Sequence, residues 1–130
     1  MPTSTLPEVL PVKDDDYPCA VPTAWRPLLA DVVDCLAAGD YGLVAGGSGV
    51  DPLPADLRAD IRDAIESCGT PLAGLPEETW EQATAQWYGN HWVVRVDLWS
   101  HIGPTGLVLA GRIVETDTGP RFTMYLVHTA

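Results

Sequence analysis

The sequence predicts an α+β fold in which two amphipathic helices pack on a three- to four-stranded antiparallel meander. Three observations predict it. Apolar residues recur at three- and four-residue steps between Trp25 and Cys68, and the period drops to two after position 80. Short Gly-, Pro- and Asn-bearing segments then separate the two-residue-period runs, as hairpin turns do. At 130 residues, with 46% apolar residues, the chain has material for one domain and a real core.

Residues 1–22 hold five of the twelve prolines and the run Asp14-Asp15-Asp16, with no sustained period. They read as an extended arm tied down through Tyr17 and Val21, ahead of a single domain over 23–130. The acidic triplet lacks the Gly turn and distal Glu of a calcium loop, so a solvated charge run is expected.

The first helix places Trp25, Leu28, Leu29, Val32, Val33 and Leu36 on one stripe and turns Asp31 and Asp34 outward. Thr23 can cap its start, Pro27 fits the first turn, and Gly39 offers a left-handed stop. A Gly-rich loop follows, but Ala45-Gly46-Gly47-Ser48-Gly49 lacks the lysine and the spacing of a phosphate loop. A connector is expected there, with a mobile flap as the sharper alternative.

The second helix runs from about Pro54 to Ser67, with Leu57, Ile61, Ala64, Ile65 and Cys68 inward and alternating Asp, Arg and Glu outward. Between 79 and 88 a strand and a short helix both remain open, because Trp80, Ala83 and Trp87 fit either period. His91–Ser100 is the clearest strand. It sets Trp92, Val94, Val96 and Leu98 against a helix layer, and His91, Val93, Arg95, Asp97 and Trp99 on the other side. Leu107–Glu115 and Arg121–His128 complete the meander.

Charge excludes several partners. Eighteen Asp and Glu against seven Lys and Arg leave −11, with Lys13 the one lysine. Nucleic acid and anionic membrane are disfavoured, whereas a basic protein is attracted. No apolar run reaches membrane-helix length and Met1–Glu8 has no signal-peptide pattern, so a cytoplasmic protein is expected. Cys19, Cys35 and Cys68 form no CxxC pair, and buried free thiols are expected rather than a disulfide or zinc site.

Catalytic and metal signatures are missing. His91, His101 and His128 show no metal-ligand spacing, so no metal or cofactor is expected. Ser48 and Ser100 lie outside any nucleophile-elbow motif. The best constellation is His91, Arg95 and Asp97 on one strand face, joined by His101 beyond its end and, from the next strands, by Arg112, Glu115, Tyr125 or His128. Its plainest reading is a sheet face where Asp97 pairs with Arg95 or Arg112 to hold register. Of the five tryptophans, Trp25 and Trp92 are expected in the core. Trp99 and one of Trp80 or Trp87 should be less covered.

The stretch Asn90-His-Trp-Val-Val-Arg-Val-Asp-Leu-Trp-Ser, with Gly106-Leu-Val-Leu-Ala and the helix ending Gly39-Asp40-Tyr41, resembles small acidic bacterial domains of unknown function. Such domains are similar to the immunity-type proteins of toxin systems. The resemblance implies a small cytosolic α+β protein and brings no catalytic residues with it. The expected function is therefore a non-catalytic acidic module that binds a basic protein through His91, Arg95, Asp97, Trp99, His101, Arg112 and Tyr125. Two alternatives stand beside it: a small-molecule pocket or enzyme using His91, Asp97 and Tyr125, and a homodimeric structural protein.

Overall fold

A computed structural model describes residues 9–43 and 49–129. Its elements are β1 (Cys19–Ala20), α1 (Arg26–Ala37), α2 (Ala55–Glu66), β2 (Thr84–Trp87), β3 (Trp92–Ser100), β4 (Gly103–Thr116) and β5 (Gly119–Thr129). The strands form one antiparallel sheet in the order β1-β2-β3-β4-β5. The α+β class holds, with five strands in place of the three or four expected.

The two additional sheet members have distinct origins. The arm supplies β1, whose Cys19 and Ala20 pair with Ala85 and Thr84, so a strand precedes the helices in sequence. The 79–88 ambiguity resolves into both options in succession: a 3-10 turn at Glu77–Glu81, then β2. Trp80 and Ala83 are buried from the turn and its exit, and Ala85 is buried from the strand.

The arm is pinned differently from the sequence reading. Val21 is fully buried as expected, but Tyr17 is 72% exposed. The clamps are polar and aromatic instead. The indole N–H of Trp92 donates to the Val12 carbonyl, Gln86 donates to that of Asp14, and the Lys13 ammonium lies 4.9 Å from the Trp87 ring centre. The acidic triplet closes on itself, Asp14 Oδ1 accepting from the backbone of Asp16 and Tyr17 as an Asx turn does.

Thr23 does not cap α1. A 3-10 turn at Thr23–Trp25 precedes the helix, and the Thr23 hydroxyl accepts from the Val9 backbone. The helix stops before Gly39, which takes φ of 87°, a region costly for residues with a Cβ. α2 lies within a residue of its predicted bounds.

One core joins the helices to one face of the sheet. Leu29, Val32, Val33 and Leu36 of α1 and Ile61 and Ile65 of α2 cluster with Trp92, Val94, Val96, Leu98, Leu109, Ile113, Phe122 and Met124. The predicted two-residue alternation of β3 is thus the alternation of its burial. Trp92 is central, with Trp25 edge-on at 4.9 Å and Trp87 tilted at 4.3 Å. Gly111 faces inward under Phe122, where a Cβ would collide with the ring. All three cysteines are free and only half-buried, less covered than expected.

Candidate functional site

The outer face of the sheet is built by the same alternation that builds the core. Cross-strand register aligns Thr84, Arg95, Ala110 and Leu126 in one row, and Gln86, Val93, Arg112 and Thr123 in the next. A third row carries Asp97, Val108 and His128. Val108 and Ala110 on this face are buried yet stand outside the core cluster.

Two irregularities shape this face. Between Ala110 and Gly111 the register with β5 slips, leaving Tyr125 as the extra residue. A bulge of this kind bends the strand and re-aims side chains. Tyr125 and Leu126 are consecutive and exposed, at 38% and 43%, between buried Met124 and Val127. At the far end, β4 bulges opposite Asp97–Trp99. There Thr105 Oγ1 donates to the Leu98 carbonyl and accepts from Leu107, while Gly106 takes φ of 81°.

Five of the seven candidates share this surface: Arg95, Asp97, Trp99, Arg112 and Tyr125. The two histidines do not join them. His91 precedes β3, stacked on Tyr88 at 5.7 Å and bonded to Asn90, whereas His101 lies in the turn after it. Ten residues of extended chain between them span roughly 33 Å, so no small ligand touches both. His91, six residues before Asp97, stands roughly 20 Å from it along the strand, too far to share one reaction centre with Asp97 and Tyr125.

The ion pairing expected of Asp97 is not made. Neither Arg95 nor Asp97 forms an ion pair among the described residues. Both point off one face at a spacing of nearly 7 Å, so their side chains rise side by side. A different acid on this side is paired, and sequence reasoning missed it. Gly49–Asp51 runs parallel to β5, Asp51 donating its backbone N–H to Phe122 and Phe122 donating to Gly49. This carries the Asp51 carboxylate onto the outer face, where Arg121 and Thr123 both bond it. Burial pushes that carboxyl up, but the Thr123 hydrogen bond and the Arg121 and Arg112 charges outweigh burial and hold it below the usual Asp range. No periodicity marks a lone Asp in a loop, so this contact had no local signal. The Gly-rich connector itself, with Ser48, falls mostly within 44–48, outside the described residues.

Two buried donors on this side, Trp99 Nε1 and Arg112 Nε, have no hydrogen-bond partner among the described residues. Trp99 borders an open cleft of about 290 Å³ with Pro76, Glu78 and His101. Among the tryptophans it is half-buried together with Trp87, while Trp25, Trp80 and Trp92 are buried. No group of three or more His, Cys, Asp or Glu able to hold a metal occurs among the described residues. None of the helices they form is long and apolar enough to cross a membrane.

The family model of a domain of unknown function, DUF7668, matches residues 33–130. The chain belongs to this family. The match takes in the last five residues of α1 and everything after it, including every candidate residue, and leaves out the arm that supplies β1 and the start of α1. Comparison with curated proteins and with solved structures produced no match.

Proposed function

We propose that this DUF7668 protein is a non-catalytic binding module that docks a basic protein on the outer face of its sheet. The observation that carries the reading is that Arg95 and Asp97 have no ion-pair partner among the described residues, on the face where Tyr125 and Leu126 are exposed two strands away, with Trp99 near the end of their own strand. Arg and aromatic residues dominate interface energetics, and unpaired opposite charges side by side give a docking partner its register. The −11 charge supplies the long-range part, attracting a basic partner before contact. Long-range attraction and local register thus come from different groups. A module of this kind that covers a basic toxin would act as an immunity-type protein, the form of the function expected from the sequence.

The test is affinity capture from a fractionated lysate of the source organism, loaded at about 50 mM salt and washed at about 300 mM, where the screening length is less than half as long. A high-pI protein held by the wild type, released by the wash and not held by Tyr125→Ala supports the reading. Capture indifferent to salt and to Tyr125, or no basic protein held, overturns it.

One observation favours a second reading, a homodimer. Arg95 and Asp97 alternate on a single strand, so two copies packed face to face could cross-pair them isologously. Here the salt effect has the opposite sign, because two chains of −11 repel one another. A sedimentation mass that doubles as salt rises would replace the first reading with this one.

A further inference from the structure

The carboxyl-terminal ends of α1 and α2 converge on a groove of about 430 Å³. Buried Leu36, Ile65 and Leu72 form its apolar floor, Tyr41 and Pro71 line it, and exposed Glu66 stands at its rim. The ends of both helices, Ala37–Gly39 and Glu66–Gly69, lie along it. Each helix end presents about half a negative charge from its last carbonyls, normally countered by Lys, Arg or His in the last turn. Neither helix has a basic residue there. One turn back on α1 the Cys35 thiol is pushed up, by burial first and then by the charges of Asp40, Asp31 and Asp34 and a hydrogen bond with Asp40. Arg58 and Arg62 border a separate, smaller cleft that shares Tyr41.

We propose that this groove takes a lysine side chain of the basic partner, its methylene stem along the apolar floor and its ammonium at the two helix ends. A lysine stem needs an apolar trough and its head needs acceptors. The groove offers the trough, the Glu66 carboxylate at its rim, and the second lone pairs of helix-end carbonyls, those of Leu36 and Glu66 already taking the capping N–H groups of Gly39 and Gly69. The position suits an extension of the sheet-face contact. Segment 70–72 borders the groove, Leu72 bridges Ser100, Ala73 donates to the Trp99 carbonyl, and Gly74 borders the Trp99 cleft. The inference rests on the preceding reading only for the source of the lysine.

The experiment is an amide chemical-shift titration of the full chain with acetyl-trilysine amide at low salt, repeated with its acetyl-lysine analogue, which keeps the stems and loses the charge. Shifts concentrated at Gly39, Tyr41, Glu66, Gly69 and Thr70 are expected, absent with the analogue. Glu66→Lys should weaken binding by roughly three- to tenfold, as the loss of charge attraction at a helix end predicts. Ala38→Trp, which fills the groove without changing charge, should abolish the localised shifts while leaving thermal unfolding within a few degrees. Shifts spread evenly over Asp14–Asp16, Asp56–Asp63 and Glu77–Glu81 would overturn the proposal, as would spermidine binding the groove more tightly than trilysine. Because the probe replaces the natural partner, a null result here leaves the sheet-face capture experiment untouched, and the reverse holds too.

Discussion

The two layers of this molecule solve opposite problems with the same alternating strands. On the helix side, charge is pushed outward: α1, α2 and the 3-10 turn at Glu77–Glu81 carry nine exposed carboxylates against three arginines. On the outer sheet face the balance reverses. Three of the chain's seven Lys and Arg residues stand there, Arg95, Arg112 and Arg121, with Asp97 and Asp51 as the facing acids. The helix layer thus supplies more than half of the −11, and the sheet face none of it. Distance sorts the two contributions, since at physiological salt the summed charge acts over about 8 Å and a single unpaired arginine acts at contact.

The sharpest way to break this comparison is to test whether only the inner face carries stability. Trp92→Ala removes a side chain 1% exposed between two other indoles and should cost about 3–5 kcal/mol by urea denaturation. Its neighbour Val93 is half-buried on the outer face, and Val93→Ala should cost no more than about 1 kcal/mol. Equal losses would mean that both faces are core. Gly111→Ala comes next, at about 1–3 kcal/mol, because the new methyl meets the Phe122 ring in a packed interior.

Asp51 tests the one place where the sheet face contributes stability through charge. Asp51→Asn should cost about 1 kcal/mol at neutral pH, given the half-exposed Arg121 and its screening. The sign follows from the lowered carboxyl. Stability from Asp51 is full above the ordinary Asp value near 3.9 and is lost as pH falls through the depressed folded value. The variant's acid unfolding curve should therefore be flatter below about pH 4, and parallel curves would remove Asp51 from the account. Smallest of all, Arg95→Ala and Tyr125→Ala should shift unfolding free energy by about 0.5 kcal/mol or less while removing partner capture. On the helix side, the raised Cys35 thiol should react slowly with iodoacetamide at pH 7 and faster as pH climbs past the ordinary cysteine range.

Much of this arrangement was legible one residue at a time. Trp25, Leu29, Val32 and Leu36 announce α1 because a buried stripe needs helical spacing, and Trp92 to Leu98 announce β3 because a pleated strand buries alternate residues. The same alternation puts Arg95, Asp97 and Trp99 on one face. What failed was pairing at long range. Asp97 was matched to the arginines nearest in sequence pattern, yet Asp51, brought alongside β5 by a backbone bridge to Phe122, holds that place. The arm went the same way, its anchors being Val12, Lys13 and Asp14 rather than Tyr17, because they meet Trp92, Trp87 and Gln86 some seventy to eighty residues on.

By itself the sequence determined the class of the fold, the two helices, the direction the side chains of β3 face and the overall acidity. These follow from local period and composition, which need no knowledge of neighbours. Tertiary structure decided the fifth strand, the bulge that turns Tyr125 and Leu126 outward together, the Asp51 contact and the groove between the helix ends. Each of these depends on which distant segments lie side by side, and packing settles that only when the whole core is assembled.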